Sequence, residues 1–361
     1  MDIEKRIELV KRPPTQEVVS EDKLKELFEN YKHPVLYDGF EISGMVHLGT
    51  GLCTTLKFRD FMEAGIKTKI LLADYHSWIN EKLGGDLKKI RNVGKGYFKH
   101  AFISLGLDED KVEYILASDI YDGDYWADVL KVSKETTINR MLRCVTIMGR
   151  KETEVTKSAA MIYPAMQVAD VFELEVQMAF SGMDQRKAYM LAIEHAKKRK
   201  NLKDKTEGYD FVSVHGHLLA GLQGVERMNP TQEQVEEAKM SKSKPGSAIF
   251  IHDTEEEIKS KIKKAYCPEK VVEGNPMIEY AEYLILRDRP LKIERPEKFG
   301  GDVEFGNPAE LKKTYLDGKL HPMDLKNGVA RELTEMLKPS RDYFAKHKEY
   351  LEQLKVKEIT R

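Results

Sequence analysis

The sequence has few cysteines, which stabilise small secreted proteins through disulfide bonds. It contains three cysteines in 361 residues, and Cys53, Cys144 and Cys267 are isolated, without the spacing of a metal site or a disulfide framework. The N-terminus lacks the apolar core of a signal peptide, and no apolar run reaches membrane-spanning length. We therefore expect a reduced, cytoplasmic protein that makes no membrane contact and holds no protein-bound metal.

No charge of one sign dominates the chain. The 59 basic and 60 acidic residues nearly cancel, which excludes a global basic field for nucleic acid. Any RNA contact must come from local clusters and from shape. Internal repeats and low-complexity segments are also missing, and the length allows about two domains at ~150 residues each.

Apolar runs alternate with helical patterns through most of the chain. After a start that looks helical (1–33), runs that end near residues 36, 76, 117, 180 and 214 are typical of buried strands. This alternation predicts an α/β fold with a doubly wound parallel, Rossmann-like sheet, whose ligands lie at the carboxyl ends of the strands. A long helix from Tyr121 to about Gly149 interrupts it, and the last hundred residues read as helical, with Arg295–Asp302 and His321–Asp324 as loops between helices. We place the domains at 1–250, with a helical insertion at about 121–165, and at 251–361.

The stretch from Leu36 to Thr50 combines a strand, a turn punctuated by Gly39 and Gly44, and a helix that opens at His47. Free backbone N–H groups and the helix dipole make such a helix start an anion site. His47 can donate to a phosphate there, and Gly49 lets a nucleotide approach the backbone. An ordinary strand-to-helix turn with a surface histidine would show the same pattern.

Two further patterns carry chemistry. Lys239-Met240-Ser241-Lys242-Ser243 alternates lysines with hydroxyl residues before Pro245-Gly246, which predicts a cationic loop suited to polyphosphate. Tyr163, Gln167 and Asp170 are spaced i, i+4 and i+7, so they share one helical face. A generic Ser/Lys loop and a partly solvated helix surface are the respective alternatives.

The histidine–glycine stretch and the Lys-Met-Ser-Lys-Ser loop together resemble the paired signatures of class I aminoacyl-tRNA synthetases. Six further segments look like archaeal-type tyrosyl-tRNA synthetase, in order, within a resemblance from about residue 20 to about residue 340: Tyr37–Glu41, Leu71–Asp74, Tyr163–Gln167, Gly182–Lys187, Lys263–Pro268 and His321–Asn327. One position departs from the pattern, because the family usually has a second histidine where this chain has Thr50.

The resemblance implies that tyrosine is activated with ATP, with Mg²⁺ assisting, and is then transferred to tRNA(Tyr). Phosphate charge grows in the transition state, so the catalytic residues would be His47 and Thr50 at the nucleotide and Lys239 and Lys242 at the departing pyrophosphate. The ATP site would also include Gly39, Gly49, Met240, Ser241 and Ser243.

The resemblance also assigns the other two substrates. Tyrosine would be bound by Tyr37 and Asp170 at its phenol, by Tyr163, Gln167 and Gln185 at its ammonium, and by Glu41. The tRNA would be read by Arg186 and Lys187 at the acceptor stem and by Phe299 and Asp324 at the anticodon. Asp324 could equally be the N-cap of a helix beginning near Leu325. A homodimer built on the 121–165 insertion, with one tRNA contacting both subunits, completes these expectations.

Three other functions compete with this one. Tryptophanyl-tRNA synthetase shares the architecture, but Tyr37 with Asp170 favours a phenol over an indole. Small nucleotidylyltransferases share the histidine–glycine start but lack the helical tail and the lysine loop. An inactive, RNA-binding paralogue is favoured by Thr50 and disfavoured by the complete lysine loop and amino-acid pocket.

Overall fold

A computed structural model of the protein describes residues 1–149, 157–201, 208–224 and 245–354. The chain divides into two compact units. The first comprises Met1–Gly44, Lys57–His100 and Leu107–His217, and the second comprises Met45–Leu56, Ala101–Gly106 and Leu218–Arg361. Within the described residues, no helix is long and apolar enough to cross a membrane.

A six-stranded sheet forms the centre of the first unit. Its strands lie in the order β1-β6-β5-β2-β3-β4, and all neighbours run parallel except β1, which pairs antiparallel with β6. This confirms the predicted doubly wound sheet. The strands are β1 (Thr15–Val19), β2 (Val35–Phe40), β3 (Lys67–Leu72), β4 (Val112–Leu116), β5 (Met178–Gly182) and β6 (Val212–Gly216).

The helices of the first 217 residues follow the strands, as the alternation predicts. The longest of them bury one apolar face each, and Tyr163–Glu173 is buried along most of its length. The α-helices are Ile3–Lys11, Glu21–Asn30, Thr54–Glu63, Asp74–Ile79, Leu87–Val93, Lys99–Ser104, Ala117–Ile120, Gly123–Glu135, Ile138–Cys144, Tyr163–Glu173 and Arg186–Ala196.

The N-terminal 33 residues differ from the prediction, because the strand β1 lies between two helices. The segment before it is anchored by Lys57, whose buried Nζ donates to Leu9 O (2.7 Å) and Arg12 O (2.9 Å) and lies 3.3 Å from Asp60 Oδ2. β1 is an edge strand whose partner β6 is about 200 residues away in sequence. A local pattern cannot reveal such a pairing.

The predicted long helix over 121–149 is broken in two. Thr136 ends the helix Gly123–Glu135 in an extended conformation, and the Thr137 side chain caps the next helix by accepting from Arg140 N at 3.3 Å. Two consecutive threonines favour such a break, since their hydroxyls compete for backbone groups.

The C-terminal region is helical, with one small sheet added. Its α-helices are Glu255–Lys264, Pro276–Tyr280, Pro308–Leu316, Pro322–Lys346 and Lys348–Glu352. Strands β7 (Leu291–Ile293) and β8 (Val303–Phe305) pair antiparallel, so the Arg295–Asp302 loop joins two strands and not two helices. Short strands of three residues carry too little periodicity to be recognised from sequence.

Candidate active site

Polar side chains that follow three strands meet around the buried helix Tyr163–Glu173. Glu41 follows β2, His76 follows β3, and Gln185 follows β5, so three strands contribute residues from their carboxyl ends, as expected for this type of sheet. Pro164 fits the first turn of the helix because no N–H is needed there. Tyr163, Gln167 and Asp170 then project from the same helix.

Asp170 is a buried carboxylate held by two phenols. Tyr121 and Tyr125 donate hydrogen bonds to its Oδ1 at 2.5 and 3.1 Å. Burial raises the pKa of Asp170 to about 7, and the two hydrogen bonds limit the rise. The two phenol rings stack with centroids 3.6 Å apart, which fixes both hydroxyls. One carboxylate oxygen is therefore saturated by protein donors, and Oδ2 is left for other partners.

Tyr37 on β2 lies in the same cluster. Its hydroxyl accepts from Tyr189 Oη at 3.1 Å and faces Gln167 O at 3.5 Å. The pKa of Tyr37 is raised well above its usual value, first by burial and then by the charges of Tyr189 and Asp170. Tyr37 and Asp170 are thus electrostatic neighbours.

His76 lies between Asp170 and Tyr163. Its Nε2 is 3.7 Å from Asp170 Oδ2, beyond hydrogen-bond distance, and its ring stands edge-on to Tyr163 with centroids 4.6 Å apart. Neither buried ring nitrogen has a hydrogen-bond partner in the described part of the protein. Burial lowers the pKa of His76 to about 3, so the imidazole is neutral.

Glu41 accepts a hydrogen bond from Tyr163. Its Oε1 accepts from Tyr163 Oη at 2.9 Å and from Asn80 Nδ2 at 2.7 Å, while Oε2 lies 3.2 Å from Lys82 Nζ. Both oxygens are engaged, so Glu41 orients the phenol of Tyr163.

The two glutamines assigned to the ammonium are brought together. Gln167 Nε2 donates to Gln185 Oε1 at 3.4 Å, and Gln185 Nε2 donates to Ile147 O at 2.9 Å. With Tyr163, they form an acceptor-rich end of the cluster.

The second unit contains the histidine–glycine stretch, and its geometry corrects one expectation. His47 forms an isolated antiparallel bridge with Phe250, and helical turns begin only at Gly49. The N–H groups of Leu48, Thr50 and Gly51 donate to Ile249 O (3.0 Å), His47 Nδ1 (3.3 Å) and His47 O (2.7 Å). These three N–H groups are therefore not free to bind an anion, and the predicted anion site is wrong for them.

The histidine–glycine stretch brings the side chains of His47 and Thr50 together. Thr50 Oγ1 lies 3.4 Å from His47 Nε2. A Cβ on Gly49 would come within 3.3 Å of the His47 ring, and one on Gly51 would lie 2.7 Å from Ile251 and 2.8 Å from Val46. Gly51, which sequence reasoning overlooked, is thus required for close packing of this turn.

The structure says less about the other residues that are predicted to bind ATP. A Cβ on Gly39 would make only ordinary contacts, the nearest at 3.5 Å to the Tyr37 ring, so packing within the protein does not require a glycine there. The whole loop Lys239, Met240, Ser241, Lys242 and Ser243 lies outside the described residues.

Arg186 and Lys187 begin the helix after β5. Arg186 makes a two-point contact with Glu17, with Nε to Oε2 at 2.5 Å and Nη2 to Oε1 at 2.8 Å. Lys187 is exposed, and its Nζ donates to Thr146 Oγ1 at 3.0 Å.

The two predicted anticodon residues lie in exposed or half-buried positions of the second unit. Phe299 is 61% exposed and precedes Gly300, which has a φ of +97°. Asp324 lies inside the first turn of Pro322–Lys346, and the cap is His321, whose Nδ1 accepts from Met323 N at 3.1 Å. The alternative that Asp324 is the N-cap is therefore wrong.

Several residues of the cluster were missed by sequence reasoning. Tyr121 precedes the helix Gly123–Glu135 that contains Tyr125, so helical spacing does not relate the two residues. The sequence marks His76 only as a residue at a strand end. Tyr189 gave no signal, because its contact with Tyr37 joins residues 152 positions apart. Among the described residues, no group of three His, Cys, Asp or Glu side chains is arranged to hold a metal ion.

The sequence matches the family described as tRNA synthetases class I (W and Y) over residues 29–338. The tyrosine–tRNA ligases of Thermococcus kodakarensis and Pyrococcus abyssi are 52% and 51% identical to it, over the full length of each chain. The chain belongs to the archaeal tyrosyl-tRNA synthetases of class I.

Solved structures of other synthetases agree with this family. The Pyrococcus horikoshii tyrosyl-tRNA synthetase, complexed with L-tyrosine, superposes with a TM-score of 0.92 at 48% identity, covering 98% of this chain and 99% of that one. The Archaeoglobus fulgidus tyrosyl-tRNA synthetase gives 0.81 at 40%, covering 95% and 99%. A tryptophanyl-tRNA synthetase from Aeropyrum pernix shares the fold, with a TM-score of 0.69 at 19% identity over 93% of this synthetase and 85% of that chain.

The raised pKa of Asp170 makes a prediction about stability. Its folded-state pKa of about 7 lies above the usual value of about 4, so the folded synthetase retains a proton that the unfolded chain releases between these pH values. The contribution of this group is full below about pH 4 and is lost as the pH rises towards 7. Denaturant midpoints between about pH 4.5 and pH 8 should therefore fall more for the wild type than for Asp170→Asn. Parallel profiles of the two proteins would contradict the assignment.

Proposed function

We propose that the cluster around Asp170 binds tyrosine for the synthetase reaction, with Tyr37 and Asp170 at the phenol. The enzyme activates tyrosine with ATP to tyrosyl-adenylate and pyrophosphate, and then transfers tyrosine to the 3′ end of tRNA(Tyr). The observation that carries the phenol assignment is the buried pair itself: Tyr37 offers a hydroxyl, and Asp170 keeps Oδ2 clear of the two phenols that saturate Oδ1. Sites built to hydrogen-bond a hydroxyl strongly reject analogues without one, and tyrosyl-tRNA synthetases are the standard example.

The opposite end of the cluster suits the substrate's ammonium. Tyr163, Gln167 and Gln185 present oxygen acceptors there, and Glu41 fixes Tyr163 through its hydroxyl. Glu41 thus contributes to tyrosine binding through Tyr163.

ATP activation requires stabilisation of growing phosphate charge. We assign this to His47, Lys239 and Lys242, with Thr50 bonded to the histidine as a substitute for the family's second imidazole. Gly39, Gly49, Met240, Ser241 and Ser243 complete the proposed ATP site. We treat Mg²⁺ as part of the substrate, carried by the ATP phosphates.

Transfer to tRNA is assigned to both domains. In this proposal residues 1–250 are the catalytic domain, which meets the acceptor stem through Arg186 and Lys187, and residues 251–361 form the anticodon-binding domain. We also propose that the protein is located in the cytoplasm.

The homodimer is proposed on the helical insertion. Leu130 and Ile138 are 69% and 72% exposed, and Trp126 and Ile162 in the same segment are also exposed. Exposed apolar side chains grouped in one segment are typical of a protein interface.

The first test concerns substrate choice. In ATP–pyrophosphate exchange the wild type should accept tyrosine and reject both tryptophan and phenylalanine. Tyr37→Phe should narrow the tyrosine-over-phenylalanine preference by about 0.5–1.5 kcal/mol, and Asp170→Asn by up to about 3 kcal/mol, since they remove a neutral and a charged hydrogen bond.

The matched control is Tyr209→Phe. It deletes another buried hydroxyl, which donates to Val176 O at 3.1 Å outside the cluster, and should leave the preference unchanged. An unchanged preference in Asp170→Asn would refute the phenol assignment. Exchange with none of the three amino acids would favour an inactive paralogue.

The second test concerns the lysine loop. Lys239→Ala or Lys242→Ala should lower kcat for exchange by roughly 100-fold, because their charge acts mainly as pyrophosphate departs. The tyrosine Kd should barely change, and Lys259→Ala, in an exposed ion pair with Glu255, serves as the control. Weakened tyrosine binding at normal kcat would contradict the role.

The third test concerns assembly. Leu130→Asp combined with Ile138→Asp should convert a dimer into a monomer in sedimentation velocity, because charges would enter an apolar interface. Leu316→Asp, at another exposed leucine, should leave the mass unchanged. A wild type that sediments as a monomer would overturn the homodimer.

The fourth test concerns the anticodon. Phe299→Ala should weaken tRNA charging by roughly 1–3 kcal/mol, the value of one stacked base, and leave tyrosine-dependent exchange normal. Asp324→Ala should reduce discrimination against a changed first anticodon base, without lowering the melting temperature, since His321 is the cap. Leu316→Ala is the control. Normal charging by Phe299→Ala would remove this residue from the anticodon site.

A further inference from the structure

The ion pair between Arg186 and Glu17 uses only one side of the guanidinium. Glu17 contacts Nε and Nη2, which form the lateral edge of the group. In the described part of the protein, Nη1 has no hydrogen-bond partner, and the Arg186 side chain is 40% exposed. Nη1 and the second N–H of Nη2 therefore remain as an outward-facing fork of parallel donors.

Glu17 directly follows an irregularity in the pairing of β1 with β6. Thr15 pairs with Gly216 and Glu17 pairs with His215, so the register shifts between the two positions of β1. Bulges of this kind turn a side chain away from its regular direction. The strand itself is anchored through Lys57, which bonds the segment before it.

The Glu17 carboxylate determines which ligand suits the two free donors of Arg186. An arginine that serves a phosphate benefits from its full charge, and a carboxylate within 2.8 Å neutralises that charge and repels the phosphate. A neutral acceptor pair, such as O6 and N7 of guanine, has no such penalty and matches the spacing of the fork. The pair is thus better suited to a base edge than to the backbone.

We propose that Glu17 is a positioning residue that holds the guanidinium of Arg186 for reading a base edge in the first pair of the tRNA acceptor stem. This inference rests on the proposed acceptor-stem role of Arg186. Bases at the end of a helix are accessible to side chains, whereas the interior of the deep A-form groove is not. Glu17 itself needs no contact with the tRNA.

The experiment compares charging of tRNA(Tyr) with charging of a transcript whose first acceptor pair is inverted. Arg186→Ala should reduce the kcat/KM ratio of the two substrates, and Glu17→Ala should reduce it by roughly 10-fold through the loss of orientation. In the Glu17→Ala/Arg186→Ala double variant, the loss should equal that of Arg186→Ala alone. Tyrosine-dependent exchange, which needs no tRNA, should stay normal in Glu17→Ala.

Matched variants separate this role from a general charge effect. Glu113→Ala removes a glutamate from β4, the other edge of the same sheet, where it pairs with Lys69 at 3.5 Å, and should not change the ratio. Glu17→Gln keeps the shape of the side chain and replaces Glu17→Ala if that variant melts at a lower temperature.

Each failure has its own signature. If Arg186→Ala lowers the ratio and the Glu17 variants do not, Arg186 acts without a positioning residue and the inference falls. An equal loss for both tRNAs in the Glu17 variants would indicate a phosphate contact and overturn the base-reading role. A ratio unchanged by Arg186→Ala would overturn the proposed function of Arg186 itself.

Discussion

The burial of the Asp170 carboxylate is the constraint on which the candidate site depends. A charge in an apolar interior is costly unless donors surround it, and here two phenols from the start of the insertion supply them. This requirement ties the insertion to the helix Tyr163–Glu173. The same burial leaves Oδ2 facing a neutral imidazole, so the cluster holds a carboxylate with unused hydrogen-bonding capacity and no opposite charge.

Supporting residues hold the proposed tyrosine-binding side chains in place. Tyr37 and Asp170 are fixed by other tyrosines, and Tyr163 is fixed by Glu41. In the proposed assignment, Tyr37 and Asp170 meet the phenol of the substrate and Tyr163 meets its ammonium. Each of these three residues is therefore held by a side chain outside the proposed phenol and ammonium contacts.

The sequence predicted the parts of the fold that depend on local periodicity. The parallel strands, and the shared face of Tyr163, Gln167 and Asp170, follow from spacing, and the family resemblance named Tyr37, Glu41 and Gln185 beside them. The antiparallel edge strand, the Tyr189 contact and the Glu17 contact join residues more than 150 positions apart, so no local pattern contains them. The partner of the Leu48 N–H was missed for the same reason, since it is Ile249 O.

The aromatic side chains beside the cluster have an optical consequence. The chain has two tryptophans, Trp78 and Trp126, and both lie edge-on to Tyr75, with ring centroids 6.5 and 6.1 Å away. Trp126 also contacts Tyr125, a donor to Asp170, at 5.3 Å. The tryptophan fluorescence of the protein therefore originates next to the proposed amino-acid site, which makes the unlabelled protein its own reporter of occupancy there.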